Sequence, residues 1–220
     1  SHINGVQSQG VGTSLKHYVA NNQESRRMTI DVVADERTLR EIYLAGYKIA
    51  IKEAQPWTVM CAYNKINGTF ASENKYLMTN ILKEEWRHEG LVVTDWGAMN
   101  ERGEGLKAGI ELEMPGTKNG NDEKIVAAVQ AGELDESLLY NAVERILTMI
   151  SKAEKTLSED FSYDVEAHHA LARQVAAEGA VLLKNDKEIL PIAESAKVAL
   201  IGRFAKEPRY QGAGSSQMNP

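Results

Sequence analysis

The chain has 220 residues, of which 43% are hydrophobic and 25% charged, and its formal net charge is −6. These values are ordinary for a globular protein, and the lack of a long basic run argues against nucleic-acid binding. No apolar stretch reaches the roughly 18 residues of a membrane-spanning helix, so no membrane partner is expected. The single cysteine, Cys61, excludes an internal disulfide framework. Because no signal peptide opens the chain, we expect a cytoplasmic location, while export of a longer parent protein stays open.

Strand patterns and helix patterns alternate along the first two thirds of the chain. Apolar, β-branched runs predict strands at residues 11–19, 58–63, 91–94 and 109–114. Apolar residues at helical spacing predict helices at residues 35–54, 74–89, 101–108, 122–131 and 136–153, the first capped by Asp35. This alternation favours parallel βαβ units, as in a (β/α)8 barrel, although a doubly wound sheet has the same pattern.

The pattern changes after about residue 155. Residues 157–163 resemble a linker, and they are followed by a predicted helix at 168–179 and predicted strands at 180–186 and 197–204. This second α/β unit is incomplete at residue 220, and four strands are half of the eight that a barrel needs. We therefore interpret the sequence as an internal piece of a larger protein.

The predicted strands of the first part end in side chains that can do chemistry. These side chains are Lys16, His17, Tyr63, Asp95, Trp96 and Glu113. In parallel α/β folds, active sites are built at this end of the strands. A carboxylate beside a flat indole suits a sugar site, because the carboxylate can attack or stabilise an anomeric carbon while the indole faces the ring. An aspartate after a strand is also a common helix N-cap.

Five motifs of the chain occur together in one known family. In order, they are SLKHYVANNQESRR, VMCAYNKINGT, LKEEWRHEGLVVTDWGA, AGIELEMPG, and AVLLKND with the following LPI and KVALIG. Together they resemble glycoside hydrolase family 3, most closely its β-glucosidases, from about residue 10 onwards. The resemblance implies a retaining β-glycosidase. Residues 1–155 would form the C-terminal half of a TIM-like (β/α)8 barrel, and residues 156–220 a linker and the start of an α/β sandwich domain.

The resemblance also assigns roles to individual residues. It implies that Asp95 is the catalytic nucleophile. The substrate-binding residues that it implies are Lys16, His17, Arg27, Tyr63, Trp96 and Ser215, with Ser216 as an alternative to Ser215. It implies neither a cofactor nor a metal ion, and the substrate would be a β-glucoside or an oligosaccharide.

The chemistry of these residue types agrees with the implied roles. Asp95 must be ionised to attack, which Lys16 and Arg27 would favour as nearby cations. Lys16 and His17 can donate hydrogen bonds to sugar hydroxyls. A bond from the hydroxyl of Tyr63 would orient the carboxylate of Asp95. Simpler interpretations stay open, with His17 as a core histidine, Tyr63 as a packing residue and Arg27 as a surface ion-pair partner.

Parts of the family pattern are missing from the sequence. The acid/base glutamate normally lies beyond residue 220, and an aspartate and an arginine of the glucose subsite lie before residue 1. Glu24, Glu111 and Glu113 do not match the acid/base position. We therefore expect the parent protein to be an exo-acting β-glucosidase that releases terminal non-reducing β-D-glucosyl residues, and the isolated chain to be nearly inactive.

Three other functions stay open at this point. They are a β-xylosidase, a non-catalytic half-barrel that binds sugar without hydrolysis, and a metal-dependent barrel hydrolase. We also expect a homo-oligomer to form through exposed half-barrel edges, because unpaired strand edges invite pairing with another chain. Asn67-Gly68-Thr69 is formally a glycosylation sequon, and we interpret it as a turn.

Overall fold

The computed structural model describes residues 2–116, 120–157, 162–212 and 217. The chain divides into two compact units, Ser1–Glu159 and Asp160–Pro220. None of the helices in the described ranges combines the length and the apolar character that crossing a bilayer requires. The same ranges contain no group of three or more histidine, cysteine, aspartate or glutamate side chains placed to hold one metal ion.

The first unit alternates short strands with helices. Its strands are β1 Ser14–Tyr18, β2 Asp31–Val32, β3 Thr58–Cys61, β4 Lys65–Ile66, β5 Thr69–Phe70 and β6 Leu91–Thr94. Its α-helices are α1 His2–Gln7, α2 Glu36–Thr38, α3 Ala45–Ala54, α4 Arg102–Ala108, α5 Gly120–Gln130 and α6 Glu136–Glu154. Two π-helices, Leu39–Tyr43 and Tyr76–Glu85, and a 3-10 turn, Ala71–Glu73, complete the unit. The helix predicted at 35–54 is therefore interrupted by a π-helical turn, and Asp35 caps its start as predicted.

Strands β1, β3 and β6 form a parallel sheet in that order. β3 and β6 pair without a break, from Thr58 opposite Leu91 to Cys61 opposite Thr94, whereas the register between β1 and β3 shifts within β1. All four residues of β6 are buried, which is typical of strands in parallel sheets. The C-terminal ends of three strands consequently lie side by side.

An apolar core holds the helices against this sheet. Its fully buried side chains include Val59, Cys61 and Val92 from the strands and Ile51, Leu77, Ile81 and Trp86 from the helices. Tyr18, at the end of β1, contacts the rings of Tyr47 and Trp86 edge-on, with centroids 5.1 and 6.2 Å away. Its hydroxyl donates to the carbonyl of Leu77 at 3.1 Å. The core thereby fixes α3 and the π-helix Tyr76–Glu85 against the end of β1.

A second sheet, β2-β4-β5, is absent from the sequence-based prediction. β2 pairs in parallel with β4, and β4 pairs antiparallel with β5. Between β4 and β5 the φ angles of Asn67 and Gly68 are 50° and 90°, the left-handed geometry that Asn-Gly turns favour. The side chain of Asn67 accepts from the N–H of Ala34 at 3.0 Å and donates to its carbonyl at 2.9 Å. The sequon is therefore a turn, as predicted, and its amide group is already hydrogen-bonded.

The prediction of a strand at residues 109–114 is wrong. The segment makes one isolated parallel bridge to β6, between Val93 and Leu112, instead of a continuous ladder. Next to this bridge, side chains instead of backbone groups form the hydrogen bonds that a regular ladder would have. Arg102 donates to two backbone carbonyls of the segment, each at 3.2 Å. The carboxylate of Glu111 accepts a backbone N–H of β6 at 2.6 Å. The segment is fixed beside β6 without being a regular strand.

In the second unit, the described residues form one α-helix, α7 Val165–Glu178, and one 3-10 turn, Arg203–Ala205. The strands predicted at 180–186 and 197–204 are wrong, since neither pairs with another strand within the described residues. Their apolar side chains stay exposed, to 92% at Leu183 and 91% at Ile201. An apolar run becomes a stable strand when neighbouring strands pair with it and cover it, and that cover is missing here.

Candidate active site

The carboxylate of Asp95, directly after β6, is the centre of the candidate site. Its Oδ1 accepts from the hydroxyl of Tyr63 at 2.9 Å and from the N–H of Trp96 at 2.7 Å. Its Oδ2 lies 3.3 Å from Nε2 of His17, and 14% of the side chain is exposed. These residues come from the ends of β1, β3 and β6, so the parallel strand order brings together four of the predicted site residues.

Tyr63 lies two residues beyond β3 and is buried. Its hydroxyl hydrogen is shared between Asp95 Oδ1 and the backbone carbonyl of Trp96, which is 3.0 Å away. Burial raises the pKa of Tyr63, and the hydrogen bond to Asp95 and the charge of that carboxylate raise it further. The phenol therefore stays protonated at neutral pH and remains a donor to the carboxylate.

His17 faces Asp95 from β1. Burial lowers the pKa of its imidazole, the charge of Lys16 lowers it further, and the charge of Asp95 acts in the opposite direction. A neutral imidazole carries one N–H, which can serve either Asp95 or a sugar hydroxyl. The backbone carbonyl of His17 accepts from the hydroxyl of Tyr47 on α3 at 2.7 Å. Tyr47 thus fixes β1 at the place where its pairing with β3 is irregular.

Arg27 and Lys16 bring positive charge to the site. The guanidinium of Arg27 lies 4.9 Å from the centroid of the Tyr63 ring, a cation–π distance. Its Nη1 also donates to Glu24 at 2.8 Å, so the surface ion pair named as an alternative exists beside the ring contact. Lys16 is exposed and acts on His17 through its charge. Within the described residues, neither cation forms an ion pair with Asp95.

The remaining predicted residues lie in different surroundings. Trp96 is 55% exposed, so its indole offers apolar surface next to Asp95. Ser215 and Ser216 lie outside the described residues. Glu113 is engaged elsewhere, because it accepts from Asn121 at 2.8 Å and lies 3.6 Å from Arg102. These contacts hold Glu113 away from Asp95 and within its own segment.

A cavity of about 350 Å³ lies beside two of the predicted substrate-binding residues. Its walls consist of Lys16, His17, Ala20, Asn21, Asn22, Ile42, Tyr43 and Tyr47. The volume falls within the range of small-molecule pockets, roughly 300–1,000 Å³. The cavity therefore offers room for a small polar molecule next to Lys16 and His17.

Two residues that shape the site escape the sequence analysis. One is Tyr47, for which the sequence shows only a position on a helix face. The other is Thr94, whose buried hydroxyl bonds to the backbone of Met114. The single signal for Thr94 is its place directly before Asp95, and its partner lies 20 residues further on. Cys61 is a fully buried core residue of β3, and burial raises the pKa of its thiol to about 12.

Comparisons with known proteins place these residues in one family. Residues 1–149 match the model of the glycosyl hydrolase family 3 N terminal domain, and residues 180–220 match that of the family's C-terminal domain. Thermostable beta-glucosidase B of Acetivibrio thermocellus is 59% identical over the whole chain, which covers 29% of that protein. An exo-alpha-(1->6)-L-arabinopyranosidase of Bifidobacterium breve is 45% identical over 99% of the chain, which covers 30% of that protein.

A solved structure agrees with the sequence relatives. Beta-glucosidase 3B from Thermotoga neapolitana, in complex with alpha-D-glucose, superposes with a TM-score of 0.88 at 43% identity. The superposition covers 99% of this chain and 32% of that one. The chain therefore belongs to glycosyl hydrolase family 3. It spans about a third of the length of the relatives that it matches.

Proposed function

We propose that the protein containing this chain is a retaining β-glycosidase that releases terminal non-reducing β-D-glucosyl residues. Asp95 attacks the anomeric carbon, the aglycone leaves, and water then hydrolyses the glycosyl ester. The observation that carries the proposal is the carboxylate of Asp95, held by Tyr63 and Trp96 and faced by His17. The 59% identity to a β-glucosidase supports it.

The hydrogen bonds of Asp95 distinguish its two oxygens. Oδ1 already accepts from Tyr63 and from the N–H of Trp96, which fixes the plane of the carboxylate. Oδ2 has His17 as its neighbour at 3.3 Å. When a sugar binds, His17 can turn its N–H to a hydroxyl group and leave Oδ2 for the attack. A nucleophile held in this way needs little further reorganisation to reach the anomeric carbon.

The surrounding residues suit the recognition of a sugar ring. Lys16, His17 and Arg27 are donors for ring hydroxyls, and charged donors form the stronger hydrogen bonds. The exposed indole of Trp96 offers an apolar face to the ring. Ser215 stays in the proposal as a further contact, on the strength of the motif alone.

The strand order supports placing this site in a barrel. β1, β3 and β6 are parallel neighbours in chain order, and Leu112 adds a fourth parallel contact. Sequential parallel strands are the arrangement of a (β/α)8 barrel. We infer that residues 1–155 form one arc of such a barrel in the longer protein, with residues 156–220 leading into the next domain.

The isolated chain should not turn over substrate. A retaining mechanism uses a second carboxyl group, about 5–5.5 Å from the first, as acid and base. Within the described residues, Asp95 accepts hydrogen bonds from Tyr63 and Trp96 and lies 3.3 Å from His17, and none of these residues is a carboxylic acid. Measurable hydrolysis of cellobiose by the isolated chain would contradict this part of the proposal.

A second substrate class has one specific observation in its favour. The Bifidobacterium breve relative, 45% identical, is an exo-alpha-(1->6)-L-arabinopyranosidase. An arabinopyranoside, like a xyloside, lacks the exocyclic C6 group of glucose. Discrimination of glucose from the two pentoses would therefore come from the pocket around C6, and discrimination between the pentoses from contacts to the C4 hydroxyl, whose configuration differs between them.

The test compares nitrophenyl glycosides as substrates of the full-length protein. We expect the highest kcat/KM for the β-D-glucoside, followed by the β-D-xyloside and the α-L-arabinopyranoside. Asp95→Asn should lower kcat more than about a thousandfold, because it removes the nucleophile. The exposed Asp122→Asn is the matched control and should leave kcat unchanged. Hydrolysis of the glucoside by Asp95→Asn at the parent rate would exclude the proposed mechanism.

A further inference from the structure

Thr94, the residue before Asp95, ties the candidate site to a distant piece of chain. Its side chain is fully buried. Its Oγ1 accepts from the N–H of Met114 at 2.8 Å and donates to the carbonyl of the same residue at 3.2 Å. That carbonyl also accepts from the N–H of Gly97 at 2.9 Å, and the N–H of Thr94 donates to the carbonyl of Leu112 at 3.0 Å. The backbone on both sides of Asp95 is thus attached to one short segment.

These bonds begin where the strand pairing ends. Val93 and Leu112 form one isolated bridge. The next N–H of this segment that faces β6 is that of Met114, and it bonds to Oγ1 of Thr94 rather than to a backbone carbonyl. The hydroxyl of Thr94 therefore takes the place of the next pair of backbone hydrogen bonds.

The turn that carries Asp95 is consequently held from two sides. On one side, the hydroxyl of Tyr63 bonds to the carboxylate of Asp95 and to the carbonyl of Trp96. On the other side, Thr94 and the N–H of residue 97 bond to Met114. Loss of either side would let the carboxylate move relative to the sugar-binding residues of β1.

We propose that Thr94 is a positioning residue for Asp95, and that its hydroxyl holds the turn in the place from which the carboxylate attacks. A displacement of about 1 Å at a reacting group can slow a reaction about a hundredfold. Thr94 itself touches no substrate in this account. The inference rests on the proposed function, since it takes Asp95 as the nucleophile.

The experiment measures the first chemical step in the full-length protein. The probe is a 2-deoxy-2-fluoro-β-D-glucoside with a dinitrophenolate leaving group. The readout is the rate constant for inactivation. The inhibition constant of glucose is measured separately as a measure of binding. The variants are Thr94→Val, which keeps the shape and removes the hydroxyl, and Thr94→Ser, which keeps the hydroxyl. Thr79→Val is the matched control, because the hydroxyl of Thr79 also donates to a backbone carbonyl, that of Ala108, at 2.7 Å.

We expect Thr94→Val to be inactivated about 10- to 100-fold more slowly than the parent. Its affinity for glucose should be nearly unchanged, because the proposed contacts to sugar hydroxyls come mostly from other parts of the site. Thr94→Ser should recover most of the lost rate, and Thr79→Val should behave as the parent. This split between rate and binding, together with rescue by serine, separates positioning from general destabilisation.

Several outcomes would overturn the inference. Inactivation of Thr94→Val at the parent rate would show that the hydroxyl does not position Asp95. An equal loss in Thr94→Ser would assign the effect to side-chain shape. If Thr94→Val does not fold, Thr94→Cys replaces it, and a parent-like rate in that variant would also overturn the inference. If the parent itself is not labelled on Asp95, the proposed function fails and takes this inference with it, a result distinct from unequal labelling of the variants.

Discussion

Tyr63 donates the hydrogen bond that links the carboxylate of Asp95 to the end of strand β3. Among the residues that the structure describes, the phenol is the one side-chain hydroxyl that bonds to Oδ1, and the same group bonds to the carbonyl of Trp96. Tyr63→Phe keeps the ring and its contact with Arg27 while it removes both bonds. We expect kcat of the full-length protein for a nitrophenyl β-glucoside to fall about 10- to 100-fold.

The control for this change is Tyr140→Phe, because Tyr140 is 65% exposed on α6. It should leave kcat as in the parent. Equal kcat in Tyr63→Phe and the parent would show that the hydroxyl bond to Asp95 contributes nothing to the reaction.

His88 makes the stability of the first unit sensitive to acid. It is 2% exposed, and neither ring nitrogen finds a hydrogen-bond partner of good geometry among the residues that the structure describes. Burial lowers the pKa of His88 from 6.5 to about 4. The unfolded chain therefore binds a proton near pH 6.5 and the folded chain only near pH 4. The free energy of unfolding should fall by about 3 kcal/mol as the pH drops through this window.

His88→Leu replaces the unpaired imidazole by an apolar side chain of similar size. It should remove most of this pH dependence, as measured by urea unfolding at pH 7 and pH 4.5. His169→Leu, which alters an exposed histidine of α7, should retain it. An unchanged pH dependence in His88→Leu would assign the acid sensitivity to other groups.

At the scale of elements, Glu111 joins the segment beside β6 to the surrounding helices. Its carboxylate accepts from the N–H of Val92 and from the ammonium of Lys83, and it lies 3.7 Å from the guanidinium of Arg145. The side chains of Glu111 and Lys83 are 5% and 11% exposed. Burial lowers the pKa of Lys83, and the carboxylate of Glu111 opposes that effect. This carboxylate therefore keeps a buried cation compensated.

Glu111→Ala should lower the free energy of unfolding by about 3–5 kcal/mol, because it leaves Lys83 buried without its partner. Glu104→Ala breaks the exposed pair with Lys107 and should cost less than about 1 kcal/mol. Urea unfolding measures the free energy of unfolding of both variants and so compares the buried pair with the surface pair. Similar losses in the two variants would mean that the buried pair is no stronger than the surface pair.

The sequence predicts the elements that local pattern determines. β3 and β6 are apolar, β-branched runs, and both occur where predicted. The two-residue strands of β2-β4-β5 are too short for a periodic pattern to reveal them. Residues 109–114 look like a strand, yet Arg102 and Glu111 take over their ladder positions, and these partners become known only from the tertiary structure.

In the candidate site, too, some contacts follow from local sequence pattern and others depend on the tertiary structure. The strand ends at Tyr63 and Asp95 are visible in the sequence, parallel order places them near each other, and the chemistry of the two side chains suggests the hydrogen bond that the structure contains. The contact of Thr94 with Met114 depends on how a later segment returns to β6, which the sequence pattern leaves open. Sequence therefore predicts which side chains meet at the strand ends, and the structure adds the residues that hold them there.

At the scale of the whole molecule, the two units differ in how deeply their side chains are buried. Val92 and Leu77 of the first unit are almost completely buried, whereas α7 of the second unit contains no buried residue. Backbone amides without a ladder or a cover exchange rapidly with solvent. We expect the amides of residues 180–186 and 197–202 in the isolated chain to exchange at close to the rate of an unfolded peptide, while those of β6 stay protected.

Hydrogen exchange followed by mass spectrometry checks this difference. The full-length protein is the comparison, and we expect these segments to be more strongly protected there. Strong protection of residues 180–202 in the isolated chain would show that the unit builds a core of its own.

We propose that Asp95 is the nucleophile of a retaining glycosidase. The most direct measurement is mass spectrometry of the full-length protein after reaction with a 2-deoxy-2-fluoro-β-D-glucoside, with peptide mapping of the adduct and Asp95→Ala as control. We predict a single fluoroglucosyl adduct on the peptide that contains Asp95, and none in the control. An adduct on another carboxylate, or an undiminished adduct in Asp95→Ala, would contradict the account.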